Sequence, residues 1–185
     1  MGERNKALLP LGGQSFLAVI AGHCSAAAIA EIVVVVAEPH GKETRAAAEV
    51  LGMRCVRNEH PEEGMASSVA LAFDFALDNF TADYCWLWPV DVPSIPEGTL
   101  QALESHGRPD TVVIPCFDDR GGHPVLVSRG LWKELADCAK APEGARSVFR
   151  RDPKRVVRVA VDHEGVRLDV DTPEDFGRLG GGSLP

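Results

Sequence analysis

Residues 31–37 read Glu-Ile-Val-Val-Val-Val-Ala, with an unbroken run of β-branched side chains over positions 32–36. No polar residue interrupts the run, so neither face is marked for solvent. Such a stretch fits a strand covered on both sides, as in the interior of a parallel sheet. That demand implies helices above and below, and the chain supplies candidates. A helix begins near Gly41 and runs through residues 46–51, with Gly52 as its stop. Over residues 65–77, Val69, Leu71, Ala72, Phe73, Ala76 and Leu77 recur at helical spacing. Residues 97–104 follow Pro96, and residues 131–138 open after Ser128, a reasonable cap. Short strands are expected at 53–57, 111–115, 155–161 and 166–170, the last two joined by the turn-like tetrad 162–165. Residues 173–179 form a short final helix, and 180–185 a disordered tail. Alternating strands and helices predict an α/β fold, a three-layer domain with a mostly parallel sheet spanning residues 1–179.

Composition narrows the function. The 185 residues are 45% hydrophobic and 25% charged, with a formal net charge of -8. That balance argues against a general grip on nucleic acid, which needs a basic face. It leaves room for one phosphorylated ligand held by a local cation and a metal. No apolar stretch reaches membrane-spanning length, and no signal-type or myristoylation pattern is recognised at the start, so a cytoplasmic protein is expected. The five cysteines, at 24, 55, 85, 116 and 138, are scattered and lack zinc-ligand spacing. They are expected to be reduced thiols, mostly buried.

The chemistry-bearing residues lie between the expected elements. Trp86-Leu87-Trp88-Pro89-Val90-Asp91-Val92-Pro93 is an apolar run ending in an acid, which presents Asp91 at the carboxyl end of a strand. Ligands of open α/β sheets bind at that edge, and a carboxylate there suits Mg²⁺. A second acidic cluster, Asp169-Val170-Asp171-Thr172-Pro173-Glu174-Asp175, sets alternate carboxylates on one side of an extended segment. Either Asp171 or Thr172 also suits the cap of the helix that Pro173 opens. Lys6 begins Lys-Ala-Leu-Leu-Pro-Leu-Gly-Gly and is either a phosphate-binding point charge or a solvated lysine. Around Asn58, Gly64 permits close backbone approach, and the following helix start offers free N–H groups beside Met65, Ser67 and Ser68. The same residues also make an ordinary glycine turn and helix cap. Gly121-Gly122-His123-Pro124 forms a tight turn that either aims an imidazole at a substrate or leaves it on the surface.

Taken in order, these motifs resemble the molybdenum-cofactor nucleotidyltransferase family, over residues 6–176. The Gly-Gly-His-Pro and Asp-x-Asp-Thr-Pro-Glu-Asp elements are closer to its cytidylyl branch than to its guanylyl branch. The resemblance implies a Rossmann-like nucleotidyltransferase fold. It also implies Mg²⁺-dependent transfer of a nucleotide from CTP or GTP to the phosphate of molybdopterin, with release of pyrophosphate. Lys6 would contact triphosphate, and Asn58, Gly64, Met65, Ser67 and Ser68 would line the nucleotide. Asp91 and Asp171 would hold Mg²⁺, with Asp169 supporting or sharing that role. Gly122 and His123 would border the acceptor. The implied partners are a nucleoside triphosphate, the pterin acceptor and a molybdoenzyme of the xanthine-dehydrogenase type. Alternatives are a sugar- or alditol-phosphate nucleotidyltransferase and a non-catalytic cofactor-binding accessory protein.

Family members begin with a strand and a glycine-rich phosphate loop, and here Met1-Gly2 resembles only the end of that loop. A start codon assigned to an internal Met is the favoured explanation. Without that strand, the strand at residues 32–37 and the one leading to Asp91 are expected to lack a shared neighbour and to expose their edges.

Overall fold

In the computed structural model, residues 4–179 are described. The expected tail and the Met1-Gly2 loop end lie outside them. The chain runs β1 (Pro10–Leu11), β2 (Gln14–Ser15), α1 (Phe16–Ala26), β3 (Val33–Val36), α2 (Gly41–Val50), β4 (Arg54–Arg57), α3 (Met65–Asn79) and β5 (Tyr84–Leu87). It continues with α4 (Thr99–Glu104), β6 (Val112–Phe117), β7 (Arg120–Gly121), β8 (Val125–Ser128), α5 (Trp132–Ala136), α6 (Ala145–Arg151), β9 (Val156–Ala160) and α7 (Pro173–Arg178).

The fold is α/β in three layers, as expected, but the sheet is mixed and not mostly parallel. β3–β4 and β6–β9 are parallel, whereas β8 runs antiparallel between β5 and β6. The reversal begins at Asp118-Asp119, both with positive φ, which join β6 to β7 in a two-residue turn. Two positive-φ residues match the twist of a hairpin, and Asp tolerates the left-handed region. Period-two alternation then divides the core. Val112, Val125 and Val127 face α3, α5 and α6, while Val113 and Leu126 face Leu103 of α4.

Two further expectations are corrected. Residues 166–170 are not a strand: Glu164–Arg167 is a 3-10 turn, and Leu168 to Val170 follow without a ladder. Val166 and Val170 are fully buried in separate clusters, so their apolarity reflects two anchor points and not strand alternation. β3 is also not covered on both sides, since Val33, Val34 and Val35 stay half-buried. Among the described residues β3 pairs with β4 alone and β5 with β8 alone, and no ladder joins the two sheets. All four β5 residues are likewise half-buried.

Candidate active site

Lys6 sits in a 3-10 turn, Lys6–Leu8, anchored by Ala7 and Leu9, which are buried in two different clusters. Its Nζ donates to Asp91 Oδ2 at 3.2 Å and to Asp171 Oδ1. Three segments separated by up to 165 positions in sequence therefore meet at one cation. Partial burial works against the charge on Lys6, but its two carboxylate partners outweigh it and hold the ammonium above its ordinary range. Asp91 lies four residues beyond β5, so the strand stops short of it. The intervening chain is fixed by the Trp88 indole, which donates to the Val92 carbonyl at 2.7 Å, and by Val170 N–H, which donates to the Asp91 carbonyl at 2.9 Å. The Asp91 side chain is 22% exposed and that of Asp171 68%, so both can still reach a ligand.

The two readings of the acidic cluster divide between residues. Thr172 caps α7 in a capping box with Asp175, which leaves Asp171 free to meet Lys6. Asp169 points elsewhere, close to His123, Asp91 and Asp171. Burial, then the neighbouring Asp91, pushes its carboxyl above the ordinary range. The folded state thus holds this proton more tightly than the unfolded chain, so stability falls as pH rises from the ordinary carboxyl value through the raised one. Asp169→Asn is expected to raise Tm modestly at pH 7, with the gain vanishing below pH ~3.8. Thermal unfolding at both pH values checks it.

Asn58, buried just after β4, organises a second polar group. Its amide donates to Ser67 Oγ at 2.8 Å and Ser68 Oγ at 2.9 Å, and its Oδ1 accepts from the His60 N–H at 2.9 Å. Ser67 Oγ in turn donates to the Gly64 carbonyl at 2.8 Å. Ser67 is therefore committed inside this group. Gly64, at φ +86°, supplies no side-chain cap, and Met65 is 73% exposed. The 15-residue helix α3 therefore begins without a side-chain cap on its first N–H groups. Asn58→Ala strands the groups it bridges. It is expected to cost about 1–3 kcal/mol of stability by denaturant unfolding.

Gly122 and His123 lie where β7 gives way to β8. Gly122 N–H donates to the Pro115 carbonyl at 2.8 Å, and His123 N–H to the Val166 carbonyl at 2.6 Å. The His123 ring is largely enclosed, and its Nδ1 is buried with no hydrogen-bond partner. Burial drives its pKa down, and Asp169, the Leu87 carbonyl and Asp91 only partly oppose this. The imidazole is therefore mostly neutral at pH 7, with Asp169 and Asp91 as its acidic neighbours. The structure thus places Lys6, Asp91 and Asp171 in one contact, and Asn58, Gly64, Ser67 and Ser68 in another. His123 approaches the acids through Asp169.

Sequence reasoning missed Arg146, which lies near enough to the His123 ring to disfavour its protonation. It also missed α1, whose apolar run of residues 16–21 follows the Ser15 cap, a signal present in the sequence. Each of the five cysteines is a free thiol.

The model of the MobA-like NTP transferase domain matches residues 1–181. The chain belongs to that family. It is a nucleotidyltransferase by family and by fold. A relative from Paenarthrobacter nicotinovorans, nicotine blue oxidoreductase, is 30% identical over 97% of this chain and 89% of its own length. The crystal structure of Rv0371c of Mycobacterium tuberculosis H37Rv in complex with manganese is similar, with a TM-score of 0.77 and 26% identity over 96% of this chain and 92% of that one. A molybdopterin-guanine dinucleotide biosynthesis protein A from Archaeoglobus fulgidus shares the fold, with a TM-score of 0.66 and 16% identity over 96% and 89% of the two chains. Among the described residues of this MobA-like chain, no helix is long and apolar enough to cross a membrane.

Proposed function

We propose that this chain transfers CMP from CTP to the phosphate of a molybdopterin-type acceptor, with Mg²⁺ and release of pyrophosphate. The observation that carries the reading is the convergence of Lys6, Asp91 and Asp171. The cytidylyl preference rests on the resemblance of the Gly121–Pro124 and Asp169–Asp175 motifs to that branch.

The donor set fits a hard divalent cation. Asp91 and Asp171 are oxygen donors already drawn together by one positive charge, the Lys6 ammonium. Among the described residues no group of three or more His, Cys, Asp or Glu could hold a metal alone. Two carboxylates suit Mg²⁺, which binds through one or two of them plus substrate phosphates and water. Bound there, the ion would neutralise phosphate charge. Lys6 then turns from the acids toward the triphosphate as a point charge. The N–H groups at the start of α3 and the bridged Asn58–Ser68 group hold the nucleotide in place. An oxygen of the acceptor phosphate attacks the α-phosphorus, the bond to the β-phosphate oxygen breaks, and pyrophosphate leaves. Positioning and charge neutralisation suffice for such a step, so no protein nucleophile is needed.

The test is pyrophosphate release with CTP or GTP, Mg²⁺ or Mn²⁺, and either molybdopterin or a sugar phosphate as acceptor. CTP with the pterin is expected to be the fastest pair. Faster release with a sugar phosphate would overturn the pterin assignment, and faster release with GTP the cytidylyl assignment.

A further inference from the structure

Helix α2 buries Gly41, Thr44 and Ala48. Spacings of three and four place them on one stripe. Thr44 is the polar member of that stripe and is 8% exposed. A threonine inside a helix gives up propensity, and its hydroxyl ordinarily returns to the carbonyl one turn back. Here the hydroxyl instead meets a side chain 39 positions earlier. Thr44 Oγ1 accepts from the Asn5 amide at 3.0 Å and donates to Asn5 Oδ1 at 3.2 Å.

Asn5 opens the turn that carries Lys6. Its carbonyl accepts the Leu8 N–H at 3.1 Å. An asparagine at such a position ordinarily caps the turn with its side chain. The Asn5 side chain makes no such cap, because both of its polar atoms meet Thr44. Ala7 is buried in the cluster that also holds Ala48, one turn beyond Thr44 on α2. The turn is therefore seated on α2 at Asn5 and at Ala7, one contact polar and one apolar, with Lys6 between them. Held at both neighbours, the Lys6 backbone has one orientation, and from it Nζ reaches Asp91 and Asp171.

We infer that Thr44 is a positioning residue that acts through Asn5 to hold Lys6 at the nucleotide-transfer site. The inference rests on the nucleotidyl-transfer reading above. A lysine is a point charge on a flexible four-carbon stem, so where its charge sits depends on where the stem begins. A misplacement of about 1 Å costs about 10²-fold in rate.

The experiment uses the full chain and three variants. Thr44→Val keeps the shape and removes the hydroxyl, Thr44→Ser keeps the hydroxyl, and Asn5→Ala removes the same link from its other end. Side-chain order at Lys6 Cε is read by ¹³C NMR relaxation without ligand, with the methyls of Val127, buried in another cluster, as the reference. Pyrophosphate release with CTP, Mg²⁺ and molybdopterin is measured on the same samples. Thr44→Val and Asn5→Ala are expected to lower the Lys6 order parameter, leave Val127 unchanged and reduce kcat/KM about 10–100-fold. Thr44→Ser should stay close to the parent in both readouts. Lys6 order or release rate equal in parent and Thr44→Val overturns the inference. A fall at Val127 as well as at Lys6 marks a general loosening and also overturns it. If Thr44→Val does not fold, Asn5→Ala carries the same test. If the parent releases no pyrophosphate while Lys6 order depends on Thr44, the transfer reading fails and the positioning of Lys6 stands. If the parent releases pyrophosphate but Lys6 order ignores Thr44, the transfer reading stands alone.

Discussion

Asp91→Asn is expected to lower kcat for pyrophosphate release by about 10³-fold, equivalent to about 4 kcal/mol of transition-state stabilisation. The substitution keeps shape and removes charge. Lys6 then retains a single carboxylate, Asp171, whose side chain is mostly exposed and therefore weakly held. The carbonyl of residue 91 still accepts from Val170 N–H, so the loop keeps its anchor. Loss of rate with near-parental thermal stability is the expected signature, read from steady-state kinetics and a melting curve. Parental kcat in the variant would remove Asp91 from the chemistry.

Gly122→Ala is expected to have the opposite signature, a large loss of stability. A Cβ at this position would sit 2.2 Å from the Val166 carbonyl oxygen and 2.7 Å from its carbon. Those atoms are backbone, and the same carbonyl accepts the His123 N–H at 2.6 Å, so nothing flexible can give way. Overpacking of this kind costs about 3 kcal/mol. For a chain of this size that lowers Tm by about 6–12 °C. Gly64→Ala makes a useful contrast, because Gly64 has open space around its Cα and is constrained by φ alone. Differential scanning calorimetry of both variants separates steric from conformational cost. A Gly122→Ala protein melting at the parental temperature would contradict the close packing described.

The elements legible in the sequence were those whose burial is one-dimensional. β4, α2 and α3 lie close to their expected bounds, because one apolar face and one clear stop define each of them. β8 escaped notice because Val125–Val127 is short and lies just past Pro124, and its direction depends on the Asp118-Asp119 turn. Residues 166–170 misled for a related reason. Val166 packs with Ile95 and Leu100, whereas Val170 packs with Phe16 and Phe176. Two tertiary anchors four residues apart imitate a strand. The Lys6, Asp91 and Asp171 contact was visible only as an ordered set of motifs, since no local pattern reveals which acid a distant lysine will meet.

We propose that Lys6, Asp91, Asp171 and the start of α3 form one site for a nucleoside triphosphate with a divalent ion. Calorimetric titration of the chain with CTP and then GTP, with and without Mg²⁺, tests it most directly. The expected result is Mg²⁺-dependent binding with CTP preferred, abolished by Asp91→Asn. Failure to bind either nucleotide, or binding indifferent to both Mg²⁺ and Asp91, would contradict it.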